Sequence, residues 1–412
     1  MLKIHKTIFE YIFLIILFCF SIALFNLPGY IFAALIALMF FLYARNIQIS
    51  SNVLLLMLFS VCYFSFYWFH YGMDINTIIL YLIGPWSAYI LGSVYIETAV
   101  KKNAFILLIF VLSLGMYLHG VLNVVAYIRS DYLDLYNYYR QSVDFWRGEL
   151  VNVKTTEMLY TFATGACLGV LFTSYKPVYK IISSVVIAIS LLLTIFLANR
   201  SLVVIFVVLL FWRLIVWMAD VNVSLKRKVI VAIVLLAVMS LAIILVSLNI
   251  AGLGDVFYST KIVQRFTSET ELNRFDVWSI FFDDFSFIAH PFGGEYLTQN
   301  TDHSYLHNIW LDVYNRVGVI PFVLLVVITV VSVVNCFRFC KSLKTYDKKN
   351  EAIVFESLML AIFLNLMVEP IIEANPYYFL IVLMFLGAME GYYSKAFIKE
   401  GDVLEKKHSF QE

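Results

Sequence analysis

Residues 179–218 read YKIISSVVIAISLLLTIFLANRSLVVIFVVLLFWRLIVWM. In this stretch only Lys180, Arg200 and Arg213 carry charge. Two apolar runs, 179–198 and 201–218, meet at Leu197-Ala198-Asn199-Arg200-Ser201. Each is close to the ~20 residues a helix needs to cross the hydrocarbon core of a bilayer. Inside lipid a backbone must satisfy its own N–H and C=O groups, which a helix does. The stretch therefore predicts two spanning helices joined by almost nothing, with an arginine at the join.

The rest of the chain repeats this pattern. Hydrophobic residues make up 62% of the 412 positions and charged residues 14%, against about 25% charged in a soluble domain. A soluble fold would expose much of that apolar surface to water, so a soluble enzyme, a disordered scaffold and a nucleic-acid binder are excluded. Apolar runs fall at roughly 8–25, 29–44, 53–70, 76–96, 103–128, 157–175, 179–198, 201–218, 228–250, 306–335, 352–370 and 376–394. The expectation is an all-α polytopic membrane protein with about twelve transmembrane helices, forming one integral domain over 1–412. The first run follows Lys3 and Lys6 as a signal peptide would, but lacks a small-residue cleavage site, and a new run starts after Pro28 and Gly29. It reads as an uncleaved anchor.

Charge orients the spans. With the N-terminus cytoplasmic, 20 of the 29 Lys and Arg residues fall on inside segments. The outside keeps Arg129, Arg140, Arg147, Lys154, Arg200, Lys261, Arg265, Arg274 and Arg316. The short outside connections near Pro28, Asp74 and Glu369–Glu373 carry no basic residue. An even number of spans with both termini cytoplasmic obeys the positive-inside rule throughout.

Two outside segments exceed mere turns: 129–156 and 251–305. The first is rich in Tyr, Asp and Arg, including Arg140, Trp146 and Arg147. Sugar C–H faces stack on aromatic rings and hydroxyls bond to charged groups, so a carbohydrate contact suits this composition. An interfacial aromatic belt suits it equally. The second segment holds Trp278 and a Phe-rich stretch, and predicts a short amphipathic helix on the outer leaflet.

Ionisable residues at membrane depth are functional candidates. Arg200 either snorkels to headgroups or offers its planar fork to a phosphate or pyrophosphate. Arg274 and Trp278 are four apart and would share a helix face. That helix would end before Pro291, where Gly293 and Gly294 allow a tight turn with exposed N–H groups, an anion nest; an amphipathic surface helix with a Pro-Gly stop is the alternative. The segment Asp302–Gly318 is the polar head of an apolar run. His303 and His307 share a face but lack a third metal ligand and an HExxH glutamate, so no metal is assigned. His307 is either a hydrogen-bonded histidine or a general base near the outer leaflet.

Taken in order, three segments resemble a known family. These are an Arg beside a Ser opening a mid-chain span (Arg200-Ser201), Arg274-x-x-x-Trp278 leading to Pro291-x-Gly293, and His307-Asn308 opening a span that runs to Gly318. They resemble the bacterial O-antigen polymerase and O-antigen ligase family (Wzy and WaaL type). The resemblance is concentrated in residues 197–321; Asn199 and Pro321 depart from the usual small residue and second glycine. It implies a GT-C-like helical bundle with a large periplasmic loop, in the bacterial inner membrane. It also implies an undecaprenyl-pyrophosphate-linked oligosaccharide as substrate, no cofactor, and a chain-length regulator protein as partner. Arg200 and Arg274 would then clamp the pyrophosphate and His307 would stand by the acceptor hydroxyl. Asn308, Arg140, Arg147, Trp278 and His303 would line the substrate. A polymerase is preferred over a ligase that transfers polymer to lipid A-core. A lipid-linked-oligosaccharide flippase would show matching halves with charges near the midplane, and the halves of this chain do not match.

Overall fold

A computed structural model describes residues 2–43, 47–72, 74–99, 103–130, 141–220, 223–260, 262–264, 278–279, 291–296, 298, 305–345 and 348–408. A helix stands at each of the twelve apolar runs. In order they are α1 (Leu2–Ser21), α2 (Pro28–Tyr43), α3 (Ser51–Tyr71), α4 (Ile75–Thr98) and α5 (Ala104–Arg129). Then come α6 (Val153–Leu171), α7 (Pro177–Phe196), α8 (Arg200–Ala219), α9 (Leu225–Ser247) and the short α10 (Leu253–Ser259). The chain closes with α11 (Ile309–Val317), α12 (Val319–Thr345), α13 (Lys349–Val368), the one-turn α14 (Ile371–Ala374) and α15 (Pro376–His408). Among the described residues seven helices, α3, α4, α5, α7, α8, α12 and α13, are long and apolar enough to cross a membrane.

Helix starts are capped locally. The side chains of Ser50, Asp74, Asn152, Asn199 and Asn308 each accept a backbone N–H in the first turn of the helix they precede, as N-caps do. Pro177 opens α7, where its missing N–H costs nothing.

The run at 306–335 is not one span. Gly318, at φ 91°, ends the half-helix α11, and the apolar span begins at Val319. A Cβ at Gly318 would lie 2.1 Å from the carbonyl oxygen of Pro291. The Pro291–Gly294 turn docks there: Val319 N donates to Pro291 O (2.9 Å), Gly294 N to Arg316 O (3.0 Å) and Glu295 N to Asn315 O (2.7 Å). This spends the Gly294 amide of the expected anion nest, so the glycine turn is a backbone clamp on the end of α11. The segment 129–156 also departs from an all-helical reading. It contains an antiparallel pair, Gln141–Val143 with Leu150–Asn152.

The core is packed by close helix crossings. α15 lies on α4, and a Cβ at Gly92, Gly387 or Gly391 would come within 1.8–2.3 Å of a backbone oxygen of the facing helix. Small residues at such crossings let helices approach where lipid provides no hydrophobic drive between them. α6 packs on α13 and on α5. It also carries a buried polar row, Thr156, Glu157, Thr161 and Thr164, which accounts for its lower hydropathy.

Candidate functional site

Four helix ends converge at one end of the bundle. Asn152 caps α6 and places Lys154 in its first turn. Asn199 caps α8, so that Arg200 opens that helix. Asn308 caps α11, with His307 just before it. Glu369 ends α13. The Nζ of Lys154 stands 2.8 Å and 2.9 Å from the two ring nitrogens of His307 and 3.9 Å from Glu369 Oε2. Ser201 Oγ donates to Glu369 Oε1 at 2.8 Å. The Asn199 amide donates to the buried carboxylate of Glu157. Ser201, Lys154, His307 and Glu369 thus belong to one polar cluster drawn from four helices, and Arg200 adjoins it in sequence at the start of α8.

The backbone is strained where the cluster forms. Ala198 has φ 49°, His307 φ 56° and Glu295 φ 61°. A non-glycine residue in this left-handed region costs of order 1–2 kcal/mol, and such residues gather at sites of function. Among the described residues, the remaining positive-φ residues with a side chain, Ala23, Phe25, Asn26 and Asn249, lie at helix-end turns elsewhere.

His307 is held by its neighbours. The carboxylate of Asp312 accepts from Leu306 N (2.6 Å) and Asn308 N (3.0 Å), the two amides that flank His307. Burial pushes the Asp312 carboxyl up to about 7, against the pull of those two N–H donors. Trp278 Nε1 donates to Leu306 O at 2.9 Å. Trp278, expected from the sequence to line substrate, fastens the turn that carries His307.

A second ionic group adjoins the first. Arg316 pairs through Nε with Glu373 (2.8 Å) and through Nη1 with Glu295 (2.9 Å). Tyr63 donates to Glu373. Burial raises the Glu373 carboxyl, and Arg316 and Tyr63 oppose that rise.

Next to the cluster, an apolar cavity of about 880 Å³ runs between α8, α12, α13 and α15. Ile309 and Leu366 line the end near His307, and Lys341 and Lys344 the other. From Leu325 to Lys344 the wall formed by α12 is roughly 28 Å long at 1.5 Å per residue.

Of the residues singled out in the sequence, His307 and Asn308 stand at this site, and Arg200 opens the helix whose next residue, Ser201, joins it. Arg147 is exposed in the turn between the two strands. Arg140, Arg274 and His303 lie outside the described residues. Among the described residues no group of three His, Cys, Asp or Glu side chains is placed to hold a metal ion. Lys154, Glu157, Asp312, Arg316, Glu369 and Glu373 were not singled out. Glu157 and Glu369 bound apolar runs in the sequence, and the rule for ionisable residues at membrane depth applies to them as it does to Arg200.

The fold and the cluster define an all-α, multi-pass membrane protein with an ionic site at one end of its bundle. Comparison with protein-family models and with curated proteins returned no match.

Proposed function

We propose that the chain is a membrane glycosyltransferase of the O-antigen polymerase type. It would join polyprenyl-pyrophosphate-linked oligosaccharide repeats at the periplasmic face of the bacterial inner membrane. The observation that carries the reading is the joining of Lys154, Ser201, His307 and Glu369 in one cluster, with Arg200 next to Ser201 at the start of α8, beside a membrane-length apolar cavity. A polyprenyl donor needs this pairing: fixed cations for the pyrophosphate and an apolar channel for the tail.

In the reaction an acceptor hydroxyl attacks the anomeric carbon of the donor sugar. Its proton passes to His307. The bond from that carbon to the pyrophosphate oxygen breaks, and polyprenyl pyrophosphate leaves with the electron pair. Arg200 and Lys154, with Arg274 from the large loop, stabilise the charge that builds on the leaving group, where fixed donors act more strongly than water. Glu369, held by Ser201, orients Lys154 between the leaving group and His307.

The test is a deletion strain examined by lipopolysaccharide gel. A single repeat on core supports the polymerase. Bare core with accumulating lipid-linked polymer assigns the chain to the ligase reaction instead. An unchanged ladder overturns both.

A further inference from the structure

Beside the His307 cluster lies a set of side chains that the transfer chemistry does not use. Tyr67 and Tyr71 stand on the last turns of α3, Tyr81 on α4, and Tyr305 two residues before His307. The ring of Tyr67 is centred 4.9 Å from those of both Tyr71 and Tyr81. The Arg316 guanidinium carbon sits 4.4 Å from the Tyr71 ring centre and 5.3 Å from that of Tyr67. The Tyr305 ring is centred 6.4 Å from that of His307.

The charge of this group decides what it can bind. Arg316 is already shared between Glu373 and Glu295, so with both carboxylates ionised the group is net negative. It repels a phosphate. A lock between helices would be closed on all sides, yet Tyr71 is 36% exposed and the Glu295 side chain 37%. Aromatic faces for sugar C–H surfaces, an open carboxylate for hydroxyl protons and a fixed guanidinium for hydroxyl oxygens together suit a pyranose ring.

We propose that Tyr67, Tyr71, Tyr81, Glu295 and Arg316 form a sugar-binding subsite. It takes a neutral hexopyranose of the acceptor oligosaccharide, beside the ring whose hydroxyl faces His307. The subsite rests on the glycosyl-transfer reading for its place in a reaction, and on its own geometry for binding.

The full chain in lipid nanodiscs is examined by saturation-transfer difference NMR with maltotriose and with chitotriose as probes. Saturation of ring protons is expected from at least one probe. Inorganic pyrophosphate should not displace it, because the net-negative group does not hold an anion. Tyr71→Ala should lower it by about five-fold or more through loss of the stacking face, and Tyr71→Phe, which keeps that face, should retain it. Arg200→Ala should leave it intact. No saturation from either trisaccharide, an undiminished signal in Tyr71→Ala, or displacement by pyrophosphate each overturns the subsite. An unchanged lipopolysaccharide ladder on gene deletion would remove the transferase and leave trisaccharide binding standing, so the two failures are distinct.

Discussion

The two ends of the bundle treat charge differently. At the end away from His307, Arg213 is 2% exposed and donates to Glu356 at 3.1 Å, while Lys344 meets the other oxygen of Glu356 at 2.5 Å. All three sit within helices, on α8, α13 and α12, and among the described residues no left-handed one is near them in sequence. At the His307 end, Lys154, Arg200, His307 and Glu369 sit where helices start or stop, next to left-handed Ala198 and with left-handed His307 among them. One group is a carboxylate shared by two cations on relaxed backbone, as a structural tie between helices is. The other is charge gathered on strained backbone, as a reacting site is. Arg200 and Arg213 lie on the same helix, so the two roles can be separated by substitutions in one element.

The largest effect is expected at the two arginines assigned to the pyrophosphate. Arg200→Ala and Arg274→Ala should each abolish polymer, a loss of about 100-fold or more, with folded protein retained by size-exclusion chromatography. Arg→Lys should rescue little, because a point charge cannot reproduce a planar fork. Normal-length chains from the Lys variants would show that the bidentate role is wrong. Arg129→Ala should be mild as an ordinary end-of-helix charge.

His307→Ala should lower chain formation by about 100-fold with donor binding intact. His307→Gln keeps a donor and an acceptor but cannot titrate, so near-normal polymer in that variant would leave only a positioning role. Lys154→Met probes the same step. Lys154 touches both ring nitrogens of His307, so the double variant should be little worse than either single one, as residues acting as a unit are. Additive losses in polymer yield would show that the two side chains act apart.

The opposite end should respond in stability and not in yield. Arg213→Met leaves Glu356 with Lys344 alone and should lower the unfolding temperature in detergent; breaking a buried pair costs about 3–5 kcal/mol when no other partner remains. Arg213→Met with Glu356→Leu should recover much of that loss, because neither charge is left buried. Polymer yield from the double variant should stay near normal. A collapse of yield with a normal unfolding temperature would bring Arg213 into the chemistry and erase the contrast between the two ends.

What the sequence carried and what it did not follows from this division. Every apolar run became a helix because lipid leaves the backbone few alternatives. The caps Asn199 and Asn308 act within one turn, so their positions were local information. Gly318 was noted as the end of a motif, but its break of the tenth run depends on Pro291 docking against it from 27 residues away. Lys154 was placed among ordinary outside charges, since nothing near it in sequence brings it to a histidine 153 residues later. Glu369 is legible as an acid at the end of an apolar run. Its partnership with Ser201 is set only by the packing of α8 on α13.

The smallest expected effect comes from the residue that ties the strained turn together. Asp312 accepts from the amides on both sides of His307, so it holds the turn without touching the charged cluster. Its carboxyl is raised by burial from the usual carboxylate value to about 7. A group with a raised folded pKa binds more protons folded than unfolded between those two values. Its contribution to stability is therefore largest at acid pH, falls as pH rises from about 4 to about 7, and is flat above. Asp312→Asn removes the titration and one acceptor. The variant should lose a few-fold in polymer yield, since an Asn nitrogen cannot accept from an amide that must be satisfied. Its unfolding temperature should vary less between pH 4 and pH 7 than that of the wild type. An equal slope in both proteins would place the titrating group elsewhere and leave Asp312 as a plain cap. Full activity in Asp312→Asn would mean that the left-handed His307 turn is kept by Trp278 and Asn308 alone.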